Sequence, residues 1–188
     1  MPDLLLFKFV GIPLFILIFV IENIIYFKRQ NRPNFIYRLV FYSFIIYSLF
    51  VINYTFFPFP IGKDPMMEYQ ILALHNNFIP FKDVIDNDGF NAYPVIGNIA
   101  LLFPLGIYLP LLFKRKDFRF NLMIGLLTTI FIETMQFVLS HIIGVTYRTT
   151  DINDIIFNTL GCIIGYIIYK LISPLVSPLL KKKSKLSS

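Results

Sequence analysis

The sequence predicts an all-α polytopic membrane protein with five transmembrane helices, the N-terminus outside and the C-terminus inside. Three observations carry that reading. Of 188 residues, 56% are hydrophobic and only 15% charged, against about a quarter charged in soluble domains. Five apolar stretches reach the roughly 20 residues that a helix needs to cross a bilayer. The basic residues, finally, fall into three clusters that follow the first, third and fifth stretches and so share one side of the membrane, as the positive-inside rule requires.

The stretches cover residues 4–27, 35–57, 94–113, 120–143 and 152–172. The first is longer than the core of a secretory signal, contains Lys8, Pro13 and Glu22, and lacks a small-residue cleavage site, so it reads as a retained helix. Lys8 and Glu22 near its ends read as snorkelling side chains. The basic clusters are Lys28, Arg29, Arg32 and Arg38, then Lys114, Arg115, Lys116 and Arg119, then Lys170 with the tail lysines 181, 182, 183 and 185. They hold 13 of the 17 basic residues. The net charge of +6 is therefore a topology signal, and nucleic acid is not an expected partner. Cys162 is the single cysteine, which excludes an internal disulfide and cysteine-based metal motifs.

The chain divides on this reading into two N-terminal helices (1–57), an extracellular loop (58–93), a three-helix core (94–173) and a basic cytoplasmic tail (174–188). A loop of that length is functional, folded or disordered. Its aliphatic and aromatic content argues for packing on the outer membrane face, with a short interfacial helix near residues 68–74. His75 reads as a loop surface residue, and His141 as interfacial.

The polar residues of the last two spans fall in register with the helix. Thr129, Glu133, Gln136 and Ser140 recur at spacings of four, three and four. Asp151, Asp154, Asn158, Gly161 and Gly165 recur at three, four, three and four. Each set marks one face of an α-helix, turned away from lipid towards other protein. A connection centred near Tyr147 would set Ser140 against Asp154, Gln136 against Asn158 and Glu133 against Gly161. Glu133 would then lie about 15 Å below the outer end of its helix, with the stripe fading beneath it. A carboxylate at the bilayer centre costs about 2.5–3.5 kcal/mol on insertion scales and marks a functional site by default. Arg148 is the expected cationic partner, with Asp154 nearest to it. Gly161 and Gly165 permit close approach of another helix. Asp151 and Asp154 are weak candidates for a divalent cation; carboxylates at this spacing more often cap a helix, and Asp151 suits an N-cap. Taken singly, Gln136, Asn158 and the glycines suit packing and interhelical glue as well as a site.

Four segments in this order resemble the VanZ-like family of bacterial membrane proteins: "NFIPF" from Asn77, "NIALLFPLG" from Asn98, "ETMQF" from Glu133 and "RTTDINDIIFNTLGCIIGY" from Arg148. The resemblance spans roughly residues 75–170. It carries over Asn98, Pro104, Gly106, Glu133, Gln136, Arg148, Asp151, Asp154, Asn158 and Gly161 as family positions. The family takes its name from a protein associated with resistance to teicoplanin, an acylated glycopeptide. The resemblance thus implies a role at the outer face of the bacterial plasma membrane, lowering access of lipidated antibiotics to their targets.

Two functions follow as expectations. In the first, an outward polar cleft formed by Glu133, Gln136, Arg148, Asp151, Asp154 and Asn158 binds a lipid or lipidated compound, with Asn77, Pro80 and Phe81 in a covering loop. Its partners are membrane lipids, a lipidated antibiotic or a cell-wall precursor, and no cofactor is expected. In the second, the same residues form an intramembrane enzyme acting on an envelope lipid, with Glu133 as general base. No Gly-x-Ser-x-Gly elbow or HExxH motif accompanies it. A transporter would need a polar path across the whole membrane.

Overall fold

The structure, a computed structural model, describes residues 11–13, 16–21, 35–57, 76–82, 84–86, 89–113, 117–143 and 149–180. Arg148, His75, Lys8, Glu22, the short helix expected near 68–74 and the lysines beyond 180 lie outside the described residues. Among the described residues, four helices are long and apolar enough to cross a membrane by length and composition. They are α1 (Phe35–Phe56), α2 (Ala92–Leu112), α3 (Phe118–Ile143) and α4 (Ile152–Leu180). Within the first predicted span, residues 12–13 and 16–21 are helical. The chain separates into two units, Met1–Pro58 with Lys170–Ser188, and Phe59–Tyr169.

In the first unit, α1 buries only Val51 and Thr55. Phe35, Leu39, Ile46 and Phe50 are each more than half exposed, a surface suited to lipid. Its polar side chains turn back on the helix: the Ser48 and Thr55 hydroxyls donate to the Phe44 and Val51 carbonyls at 2.9 and 2.8 Å. Such back-bonding satisfies a hydroxyl where water is absent. Arg38 stacks its guanidinium 5.8 Å from the Tyr42 ring centre, and Tyr42 packs on Phe19 at 5.4 Å. Further along, α4 runs eight residues past the predicted end at 172. Pro174 has no N–H for the carbonyl of Lys170, and the Ser173 hydroxyl donates to that carbonyl instead, at 3.1 Å. A helix interrupted by proline persists where a neighbouring group repairs the missing bond.

In the second unit, the loop holds a β-hairpin where the sequence predicts none. Ile85–Asp86 (β1) pairs antiparallel with Gly89–Phe90 (β2). Gly89 has φ +115°, a conformation glycine adopts without steric cost. The "DG" of "IDNDGF" is the local signal for it. Val84 is buried, and its carbonyl accepts from Asn91 N–H at 2.9 Å. Asn91 then caps α2 by accepting from Tyr93 N–H.

Glycine sets the distance between α2 and α4. A Cβ on Gly106 would overlap the Cys162 carbonyl; one on Gly161 would overlap the Ile99 carbonyl; one on Gly165 would overlap the Phe103 carbonyl. The two backbones lie in direct contact along this seam. Small residues serve this purpose in membranes, where hydrophobic burial cannot drive helix association and close packing must.

Pro110 deprives the Gly106 carbonyl of its helical donor. Asn121 of α3 fills that role, its Nδ2 donating to Gly106 O at 3.1 Å. Its Oδ1 accepts from Cys162 Sγ at 3.2 Å. One buried amide thus joins α2, α3 and α4. Asn121→Leu removes the side-chain donor that stands in for the missing helical one. An unsatisfied buried group costs about 1–3 kcal/mol in general, and interhelical bonds in membranes average about 0.6. The expected result is a modest fall in melting temperature in detergent with normal membrane insertion, measured by thermal denaturation of the purified protein.

Candidate functional site

The site forms where α4 begins. Residues 149–151 are not helical; they pair with the incoming loop segment. Asn77 and Asp151 make a parallel bridge, with Asn77 N–H donating to Thr150 O and Ile152 N–H to Asn77 O, each at 2.9 Å. Asp151 caps α4, its Oδ1 accepting from Asn153 N–H at 2.8 Å and from Asn77 Nδ2 at 3.1 Å. An aspartate at this position satisfies a helical N–H that has no intrahelical acceptor.

The rest of "NNFIPF" closes over the first turns of α4. Lys82 N–H donates to Ile79 O, placing Pro80 and Phe81 at the centre of a turn. Pro80 suits its first central position, and Phe81 takes the second with φ +66°. A phenylalanine there is strained, since that conformation favours glycine or asparagine. It is held by Asn153 Oδ1, which accepts from Phe81 N–H at 2.6 Å, and by edge-on contact with Phe157 at 6.2 Å between ring centres.

Glu133 comes to this junction from α3. It is 3% exposed, and its Oε2 accepts from Asp151 N–H at 3.1 Å. Asp154 is half-buried on α4 and accepts from Asn98 Nδ2 of α2. Glu133 interacts electrostatically with both Asp154 and Asp151. One turn further in, Asn158 Nδ2 donates to Thr129 Oγ1 at 3.2 Å; both residues are essentially inaccessible. Gln136 and Ser140 are buried on the same face of α3. Pro104 is half-buried within α2, and Gly106, Gly161 and Gly165 form the seam between α2 and α4.

Two geometric expectations are corrected. Glu133 meets Asp151 rather than Gly161, and Thr129 rather than Gln136 meets Asn158. The register differs by about two to three helical turns. The reason is the bridge with Asn77, which brings residues 149–151 back alongside α3 before α4 starts. Below Glu133, where the sequence pattern fades, the buried Thr129 of the stripe is followed further down α3 by a buried Asn121.

Three polar atoms at the start of α4 and one turn further in are buried without a hydrogen-bond partner: Thr150 Oγ1, Asn153 Nδ2 and Asn158 Oδ1. Thr150 and Asn153, spaced three apart across the start of α4, lie off the stripe that the periodicity marks, so spacing alone does not single them out. Asn98 is visible only through the resemblance, because a lone asparagine in an apolar helix carries no periodic signal. Among the described residues, no group of three or more His, Cys, Asp or Glu is placed to hold a metal ion.

No curated protein and no solved structure matches the chain. The family model described as VanZ/LLP1 matches residues 44–173, from within α1 through most of α4 and wider than the four segments that suggested it. That match covers more than half of the 188 residues, and the chain belongs to the VanZ/LLP1 family.

Proposed function

We propose that this protein is a non-enzymatic component of the bacterial plasma membrane whose polar junction binds the head group of a lipid or lipidated compound at the outer face. By doing so it contributes to resistance to lipoglycopeptide antibiotics such as teicoplanin. The observation that carries the reading is that Thr150, Asn153 and Asn158, beside Asp151 in the chain and within one turn of Asp154, each bury a polar atom without a partner. Interhelical glue saturates its own hydrogen bonds, whereas a binding site leaves some for its ligand. The outward orientation, with five spans and the C-terminus inside, is supported by the positions of 13 of the 17 basic residues. Arg148, beside this junction in sequence, supplies a cation for the ligand's anionic group. The exposed apolar surface of the helices lets an acyl chain remain in the bilayer while its head group enters.

Native mass spectrometry of the purified protein tests this. The wild type is expected to retain a bound lipid through delipidating detergent washes, and Asp154→Asn to retain markedly less at the same protein yield. Equal retention by both proteins would place the lipid elsewhere and remove the junction from the account.

A further inference from the structure

We infer that the inner part of the junction is a receptor for a primary ammonium group. The inference rests on the head-group reading above and specifies which part of a head group the site takes. The supply of acceptors is the first observation. Glu133 and Asp154 present carboxylates from α3 and α4. Asn158 Oδ1, on a residue 1% exposed, has no partner and lies in the same interhelical seam, one turn below Asp154 and fixed there by its bond to Thr129.

The second observation is that the N-terminus of α4 is closed to anions. Asp151 N–H is taken by Glu133, Ile152 N–H by Asn77, Asn153 N–H by the Asp151 side chain and Asp154 N–H by Asp151 O. A helix end binds phosphate through free N–H groups, and these four are occupied. Acceptors therefore predominate at depth, and two carboxylates in a poorly solvated seam call for a cation with several donors. An ammonium offers three N–H donors and a charge in one small group. Asn153 Nδ2 and the Thr150 hydroxyl, buried and unpartnered nearer the start of α4, are available to an acceptor adjoining that ammonium. The chemistry is shared by a zwitterionic aminophospholipid and by a free small amine.

The test compares full-length protein in nanodiscs of phosphatidylglycerol with added phosphatidylethanolamine or phosphatidylcholine, scored by lipid retained in native mass spectra and by melting temperature. Phosphatidylcholine keeps the charge but has no N–H donors. Phosphatidylethanolamine is expected to be retained about tenfold over either other lipid, equivalent to about 1.4 kcal/mol, with the preference lost in Glu133→Gln and Asp154→Asn. Stabilisation by free ethanolamine in phosphatidylglycerol-only discs, lost in the same variants, would also support the site and identify a soluble amine as its source. Equal retention of all three lipids, or a preference that survives Asp154→Asn, overturns the ammonium assignment and leaves head-group binding standing. No retained lipid and no response to ethanolamine overturns both. The lipid comparison on wild-type protein needs no variant to fold.

Discussion

Gly161→Leu is expected to eliminate folded protein. The smallest possible side chain at 161 already overlaps the Ile99 carbonyl, and the obstacle is backbone, which cannot rotate aside as a side chain can. Overpacking a tight site costs about 1–3 kcal/mol and sometimes more. Here α2 and α4 must also separate, which breaks the contacts at Gly106 and Gly165 together. Gly97 provides the control. It lies on α2, where a methyl group would have nothing within 4 Å, and Gly97→Ala should gain up to about 1 kcal/mol from helix propensity. Fluorescence-detected size-exclusion chromatography checks both: an aggregated or absent peak for Gly161→Leu, and an unchanged or more heat-resistant peak for Gly97→Ala. A monodisperse, normally stable Gly161→Leu would contradict the close crossing.

Glu133 separates fold from function in one pair of variants. Glu133→Leu removes the acceptor of Asp151 N–H at the point where α4, the Asn77 bridge and α3 meet. A buried donor left unpaired costs about 1–3 kcal/mol, so this variant should melt earlier and yield less protein. Glu133→Gln keeps an oxygen acceptor of the same length and loses only the charge. It should accumulate normally and lose lipid retention. Thermal denaturation and native mass spectrometry on the same preparations resolve the two effects. If Glu133→Gln binds lipid as the wild type does, the charge at 133 has no part in binding.

How much of the fold and site is legible in the sequence depends on what kind of order each feature has. The faces of α3 and α4 are periodic, so spacing alone places Glu133, Gln136, Asp154 and Asn158 on two buried stripes. Their register is another matter. It is fixed by Asn77, 74 residues away from Asp151 in the chain, and no helical period encodes a partner that distant. Asn121 is illegible for a related reason: its role is to repair the bond that Pro110 removes from Gly106, which emerges only when α2 and α3 are side by side. The extension of α4 past Pro174 similarly depends on one hydroxyl, that of Ser173. The hairpin at 85–90 does have a signal in its Asp-Gly pair, outweighed by the expectation of a longer loop with a helix in it.

The central claim, a ligand site opening on the outer face, is tested most directly at Phe78. It follows Asn77, which bridges to Asp151, and is 68% exposed. A cysteine there, in a Cys162→Ser background, reports the side of the membrane on which the junction stands. Cys162 is inaccessible in the wild type, so the background should be silent. Treatment of intact cells with a membrane-impermeant thiol reagent is expected to label Phe78→Cys as fully as treatment after lysis. Labelling only after lysis would put the junction on the cytoplasmic side and contradict an outward-facing site.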